Sequence, residues 1–175
     1  MPLSKFLIFL AIVGEILGAG PAPKSPDACA LIPKSVIEKV QGEPVRQSKG
    51  TSSKSGTVFV AQCVYSLTTS SNSISVALTL PDPAGSKTGA REFWERSFHK
   101  SDRDKDAGEE GEKEIPPAPI SGLGEEAYWV RSFVGTLYVL KGDAFLRISI
   151  GGKQDDAARL KKAQTLAEAA LANMP

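Results

Sequence analysis

The chain has few of the residues that build metal and catalytic sites, and it has no large excess of either charge. It contains one histidine and two cysteines among 175 residues. These counts exclude a multi-histidine metal site and an all-cysteine tetrahedral zinc site within one chain. Lysine and arginine total 21 against 20 aspartates and glutamates, so the net charge is +1. The near balance gives no support to binding of nucleic acid or of an anionic membrane through bulk charge.

The sequence also lacks an apolar run long enough for a permanent membrane span. The apolar run over residues 6–14 is interrupted by Glu15 and followed by small residues. A spanning helix needs about 20 apolar residues, whereas a short apolar stretch that ends in small residues is typical of a secretory signal. We therefore expect residues 1–20 to be a signal segment for secretion or periplasmic export, with no integral span in the mature chain. An uncleaved amino-terminal anchor is the alternative.

The remainder of the chain is long enough to form one domain with its own core. The composition of the whole chain, 41% hydrophobic and 23% charged, is that of an ordinary globular protein. We expect a Pro-rich tether over residues 21–27 and a single domain over residues 28–175. Within that domain, residues 101–119 combine dense charge with proline and glycine, which predicts a flexible linker.

The two cysteines, Cys29 and Cys63, predict a disulfide bond, because an even count in an exported chain is typical of such bonds. Cys29 lies in a predicted first helix. Cys63 alternates in phase with Ala61 and Tyr65 on a predicted strand, so its side chain is expected to face inward. The bond would then join the first helix to a central strand. Two separately buried free thiols are the alternative.

Apolar periodicity predicts an α+β fold, a mainly antiparallel sheet with packed helices in the order α-βββ-α-βββ-α. Residues 28–80 and 88–150 would form a weak αβββ repeat, closed by an alanine-rich helix. In the first half, residues 45–47 are expected to form a short strand. Residues 48–56, which carry no core side chain, are expected to form a polar loop.

Aromatic residues supply the candidate ligand site. We expect Trp94 on the second helix and Tyr128, Trp129 and Tyr138 on later strands to line a groove between helix and sheet. Such a groove would hold a small apolar ligand. Phe93 and Phe98 of the same helix are further candidates for this groove. Tyr128 and Tyr138 fall at outward phases and are the better candidates. The alternative is that all of these aromatic residues are ordinary core residues.

Short segments around the cysteines and the glycines form a recognisable series. They are residues 29–33 (CALIP), 40–44 (VQGEP), 63–66 (CVYS), 122–127 (GLGEEA) and 141–143 (KGD). With the alanine-rich closing helix, this series resembles small exported bacterial domains of unknown function, many of them lipoproteins and some similar to the PsbP-like α/β/α sandwich. The resemblance implies that fold and a Cys29–Cys63 bond, and it implies no activity. The lipidated cysteine of the lipoprotein members has no counterpart here.

Motifs for a reaction or a bound metal are incomplete. Asp102, Asp104 and Asp106 match the first three ligand positions of a calcium loop, but the required glycine and glutamate each come one residue late. His99 is the single imidazole, and no Gly-x-Ser-x-Gly nucleophile elbow accompanies it. We therefore expect no metal, no cofactor and no catalytic residues.

The expected function is that of a non-enzymatic exported domain, which binds a small apolar ligand or acts as an envelope accessory protein with another envelope protein as its partner. Two alternatives stay open. One is a protein-interaction module that uses residues 100–119 and orders on binding. The other is a hydrolase whose site includes carboxylates such as Glu125 and Glu126.

Overall fold

The structure is a computed structural model that describes residues 26–82, 85, 88–99 and 115–174. Within these residues the chain forms three α-helices and one antiparallel sheet of seven strands, which confirms the α+β class. The helices are α1 (Lys34–Gln41), α2 (Gly89–Phe98) and α3 (Asp156–Leu171). The strands are β1 (Val45–Ser55), β2 (Val58–Leu67), β3 (Ile74–Pro81), β4 (Ala118–Pro119), β5 (Glu126–Val130), β6 (Thr136–Lys141) and β7 (Ala144–Ile150).

The strands follow the order β1-β2-β3-β7-β6-β5-β4 across the sheet. Two three-stranded meanders, β1-β2-β3 and β5-β6-β7, meet where β3 pairs with β7, from Ile74 opposite Ile150 to Thr79 opposite Phe145. The short β4 extends the sheet beyond β5. α1 and α2 pack on opposite faces of the sheet. The αβββ repeat stays a prediction.

One face of the sheet carries the main core, on which α1 and α3 pack. Alternate residues of the strands point to this face because successive side chains of a strand face opposite ways. Alanines of α3 are fully buried against it and permit a close approach of helix to sheet. Core members from the strands and helices include Ile37, Tyr65, Val76, Leu78, Trp129, Val139, Leu146, Ile148, Ala163 and Ala167.

Cys29 and Cys63 form the expected disulfide bond, with their Cα atoms 5.0 Å apart. The elements it joins differ from the expectation. Cys29 lies in a 3-10 turn, Ala28–Ala30, where Asp27 Oδ1 accepts a hydrogen bond from the Cys29 amide at 2.8 Å. Cys63 lies on β2, which neighbours the edge strand β1 and is not central in the sheet. The bond therefore fixes the start of the domain near one edge of the sheet.

The first strand is much longer than the sequence indicated. The prediction of a short strand and a polar loop over residues 45–56 is wrong, because one strand, Val45–Ser55, pairs with β2 along its length. Most of its side chains are exposed, so the residues carry no apolar alternation. The strand is held by backbone hydrogen bonds to β2. These bonds require no particular side chains, so the sequence of β1 shows no strand pattern.

The second face of the sheet is covered by α2 at one end only, among the described helices. Trp94 of α2 is fully buried and forms a small second core with Leu140 and Phe145. Gly89 permits the approach of α2 to the sheet, since a Cβ atom there would lie 2.6 Å from the Thr57 carbonyl oxygen. Phe98 then stacks on Tyr128 of β5, with ring centroids 4.7 Å apart.

Several expectations fall outside the described residues. They are the signal segment over 1–20, most of the tether over 21–27, and the calcium-like pattern over 102–106. Of the predicted linker over 101–119, only the last five residues are described, and two of them form β4. None of the described helices is long and apolar enough to cross a membrane.

Candidate functional site

The strand side chains that point away from the main core form a second surface, which we call the open face. Cross-strand pairs run across it, for example Val60 with Thr79 and Thr79 with Phe145. Its members, in strand order, are Val58, Val60, Gln62, Val64, Ser75, Ala77, Thr79, Thr136, Tyr138, Phe145, Arg147 and Ser149. This surface combines apolar side chains with hydroxyl, amide and guanidinium groups, which is a composition common in ligand sites.

Two cavities lie on the open face. The first, which we call the helix-side cavity, has a volume of about 260 Å³ and lies beside α2. Its apolar wall consists of Val58, Val60, Ala77, Phe93, Tyr138 and Phe145. The second, which we call the loop-side cavity, has a volume of about 470 Å³ and is bounded by Val64, Val134 and several hydroxyl residues. The two cavities adjoin at Arg147, which lines both of them, and we call the pair the groove.

Exposed apolar side chains are concentrated at this groove. Phe93 is 45% exposed in the wall of the helix-side cavity, and Val64 and Val134 are 37% and 43% exposed in the loop-side cavity. Among the described residues, the other large exposed hydrophobic side chains are Ile115 and Phe133. Apolar surface that is clustered and rimmed by polar groups is typical of ligand grooves and interaction sites.

The position of Phe93 follows from the pattern of α2. Ala90 and Trp94 point directly at the sheet and are fully buried, and Phe93 lies beside this buried stripe. Its ring stacks on Phe145 with centroids 5.7 Å apart. One side of the Phe93 ring therefore packs on the protein while part of it stays exposed to the groove.

Of the aromatic residues Trp94, Tyr128, Trp129 and Tyr138, only Tyr138 lines a cavity of the groove. Trp94 is fully buried in the second core, and its ring centroid lies 5.9 Å from that of Tyr128, which lines neither cavity of the groove. Trp129 is on the opposite face, buried in the main core, where its indole N–H donates to Asp156 Oδ1 at 3.0 Å. Placing Trp129 in the groove was wrong, because adjacent strand residues such as Tyr128 and Trp129 face opposite sides of a sheet.

Phe93, an aromatic residue that the sequence offered for the groove, lines the helix-side cavity, whereas Arg147 was not among the residues predicted for it. The sequence of β7 does contain an indication of the role of Arg147. The alternate residues of this strand form two sets, one for each face of the sheet, and one set is wholly apolar. The other set, Phe145, Arg147 and Ser149, is mixed. A mixed set on a central strand indicates a face that is only partly covered.

Glu125, a carboxylate of the hydrolase alternative, is held by two neighbours. Its Oε2 accepts a hydrogen bond from Arg91 Nη2 at 2.6 Å, and its Oε1 accepts from the Gly142 amide at 2.6 Å. The Arg91 guanidinium and then the Gly142 amide hold the pKa of Glu125 below its ordinary value. These contacts join α2 to the turn between β6 and β7.

Glu126 makes a similar set of contacts at the other end of α2. Its Oε2 lies 2.7 Å from His99 Nε2 and accepts a hydrogen bond from Trp94 Nε1 at 3.2 Å. Burial opposes ionisation of Glu126, but the contacts with His99 and Trp94 outweigh it, so the pKa of Glu126 lies below its ordinary value. Both glutamates are thus ionised at neutral pH and engaged in contacts that position α2.

Metal binding has no support in the part of the chain that the structure describes. There, no three histidine, cysteine, aspartate or glutamate side chains lie close enough together to hold an ion. The apolar groove around Arg147 is therefore the candidate site.

Comparisons of the chain with protein-family models, with curated proteins and with solved structures found no match. The resemblance to exported PsbP-like domains accordingly stays a prediction. The groove itself is the basis on which a function can be proposed.

Proposed function

We propose that this chain is an exported, non-enzymatic domain that binds a small apolar ligand in the groove on the open face of its sheet. The observation that carries this proposal is the pair of cavities, of about 260 and 470 Å³, that share Arg147 in their walls. Small-molecule sites in proteins are concave, mostly apolar and about 300–1,000 Å³ in volume. The two cavities together fall within that range.

The open face supports ligand binding because its apolar side chains are not needed by the main core. That core lies on the opposite face and already holds α1 and α3. Apolar surface left in water costs about 25 cal/mol for each Å². A ligand that covers Phe93, Val64 and Val134 would recover this free energy on binding.

The disulfide bond supports the proposed export to the periplasm or the cell exterior. Disulfides persist in oxidising compartments and are rare in the cytosol. The bond between Cys29 and Cys63 is therefore in keeping with a signal segment over residues 1–20. A role as an envelope accessory protein fits the same location.

The contacts of Glu125 and Glu126 favour binding over hydrolysis. Each carboxylate accepts hydrogen bonds from residues that anchor α2, and neither lines the groove around Arg147. A general acid needs a raised pKa near neutrality, whereas the pKa values of both glutamates are lowered. The interaction module that uses residues 100–119 stays a prediction.

A titration with Nile red, a neutral apolar dye whose fluorescence rises in apolar sites, tests the proposal. The disulfide-bonded protein should bind the dye saturably. Phe93→Glu places a charge in the cavity wall and should weaken binding by about tenfold or more, equivalent to about 1.4 kcal/mol. Circular dichroism should show that this variant retains its fold, because the Phe93 side chain is already 45% exposed.

Phe133→Glu is the matched control. Phe133 is 96% exposed and lines neither cavity, so this variant makes the same chemical change away from the groove. It should bind Nile red as the unmodified protein does. Absence of saturable binding, or equal weakening by both variants, would overturn the proposed function.

A further inference from the structure

Arg147 occupies the middle of the open face. It lies on β7, directly opposite Ala77 of β3 on one side and Tyr138 of β6 on the other. The residue is half-buried and forms part of the wall of both cavities. No other lysine, arginine or histidine lines either cavity among the described residues.

The guanidinium of Arg147 has no acidic partner in the part of the chain that the structure describes. Two arginines that contact the sheet do have acidic partners: Arg91 pairs with Glu125, and Arg131 pairs with Asp156. The side chains that line the two cavities with Arg147 are apolar or carry hydroxyls, with no aspartate or glutamate. Arg147 therefore presents an uncompensated positive charge to the groove.

Among the described residues, no carboxylate neutralises the Arg147 guanidinium, so the groove favours an anionic over a neutral or cationic group at this point. A bound anion would supply a counter-charge. The planar guanidinium matches a carboxylate through two parallel hydrogen bonds, which is the arrangement that arginine forms best. Since one cation lines the groove, the complementary head group carries a single negative charge.

The surroundings of Arg147 divide into two kinds. On the loop side, Ser75, Ser149 and Thr136 lie in one cross-strand row. The Thr136 and Ser149 hydroxyls are 3.0 Å apart and hydrogen-bond to each other, which leaves the proton of Ser75 and one proton of that pair to donate to an anion beside Arg147. On the helix side, Val60 and Phe93 line an apolar cavity. A ligand that satisfies both sides has an anionic head and an apolar body.

We infer that the ligand is an amphipathic monoanion, a carboxylate with an apolar chain. Its carboxylate pairs with Arg147, and its chain lies in the helix-side cavity against Val60, Phe93 and Phe145. This inference rests on the proposed function, because it names the ligand class for the same groove. The bulk charge of the protein plays no part in it, since the net charge is only +1.

Displacement of Nile red by three compounds with the same alkyl chain tests the inference. Dodecanoate carries an anionic head, dodecanol a neutral head and dodecyltrimethylammonium a cationic head. Below their micelle-forming concentrations, dodecanoate should displace the dye at a concentration about tenfold or more below that of dodecanol. The cationic compound should be the weakest of the three.

Arg147→Gln should remove the preference for the anion. In this variant dodecanoate and dodecanol should displace the dye at equal concentrations, each corrected for the affinity of the same variant for Nile red. Arg46→Gln is the matched control, because Arg46 is exposed on the edge strand β1 and its replacement removes the same charge away from the groove. The preference for dodecanoate should persist in that control.

The outcomes separate the two proposals. If Nile red and dodecanol do not bind, the proposed function fails and the inference fails with it. If both bind but dodecanoate binds no more tightly than dodecanol, the groove is a neutral apolar site and the inference alone is overturned. The same conclusion follows if Arg147→Gln keeps the preference for dodecanoate, or if Arg46→Gln loses it.

Discussion

A Cβ atom at Gly135 would lie 2.5 Å from Cζ2 of the Trp129 indole. The backbone of Gly135 also has a φ of +57°, which disfavours any residue with a side chain. We expect Gly135→Ala to lose about 1–2 kcal/mol from the backbone and about 1–3 kcal/mol more from the clash. Urea unfolding monitored by circular dichroism measures the change.

Gly56→Ala is the matched control for Gly135. Gly56 has a φ of +59°, and a Cβ atom there would meet nothing within 4 Å. This variant should therefore lose only the backbone contribution. Equal losses in the two variants would show that the close packing of Trp129 on the chain at Gly135 does not contribute to stability.

The disulfide bond should account for a large part of the stability of the domain. Cys29 and Cys63 are 34 residues apart, and closing a loop of that length stabilises a protein by roughly 3–4 kcal/mol in the chain-entropy model. The double variant Cys29→Ala, Cys63→Ala should lose about this much free energy of unfolding. A reductant should destabilise the unmodified protein and leave the double variant unchanged. Insensitivity of the unmodified protein to reductant would contradict the expectation.

The Tyr65 hydroxyl fixes the segment around the disulfide bond. It is buried and donates to the carbonyl oxygens of Ile32 at 3.0 Å and Cys29 at 3.1 Å. Burial raises the pKa of Tyr65 to about 12, in keeping with a hydroxyl that stays protonated. Tyr65→Phe should lower the free energy of unfolding by about 1–2 kcal/mol.

Tyr138→Phe is the comparison for Tyr65. Tyr138 is half-buried, and its hydroxyl makes no hydrogen bond with a described residue that would be lost. Chemical denaturation should show little change for this variant. A loss as large as that of Tyr65→Phe would mean that the two hydrogen bonds are not the source of the effect.

Glu125 should make stability depend on pH in a defined direction. Its pKa is lower in the folded protein than in the unfolded chain, because it accepts hydrogen bonds from Arg91 and Gly142. Its contribution is therefore complete above the unfolded pKa of about 4.3 and is lost as the pH falls through the folded pKa. Because the pair is largely exposed, Glu125→Gln should cost less than about 1 kcal/mol at neutral pH.

The difference between Glu125→Gln and the unmodified protein should shrink as the pH falls below about 4. Thermal unfolding across the acidic range measures it. Glu168→Gln, at an exposed position on α3, serves as the control and should show a smaller effect. A difference for Glu125→Gln that grows on acidification would have the wrong sign for this ion pair.

Local patterns were sufficient for the second meander. In the sequence itself, the alternation over residues 144–150 and the turn signal at Gly142 indicate strands over residues 136–141 and 144–150, and β6 and β7 have those bounds. Gly142 has a φ of +59°, which suits the turn between them. Strands that bury one face and join through a tight turn carry their structure in the residues themselves.

The pairing of β1 and the packing of α2 on the sheet could not be predicted from local sequence patterns in the same way. β1 is ordered by its pairing with β2, which its polar side chains do not indicate. The groove exists because α2 covers only one end of the second face, and no local pattern shows how far a helix reaches across a sheet. Arg147 lines the groove because α2 leaves this part of the face uncovered. Trp129 lies outside the groove because successive residues of β5 face opposite sides of the sheet, which places Trp129 in the main core.

Binding on the open face is the central claim, and NMR chemical-shift mapping during a titration with dodecanoate tests it most directly. We predict saturable changes in the chemical shifts of Val60, Ala77 and Arg147 and of Phe93 of α2, because these residues line the helix-side cavity. Residues such as Ile37 and Leu166 in the main core should be unaffected. Changes centred on the main core, or the absence of saturable changes on the open face, would contradict the claim.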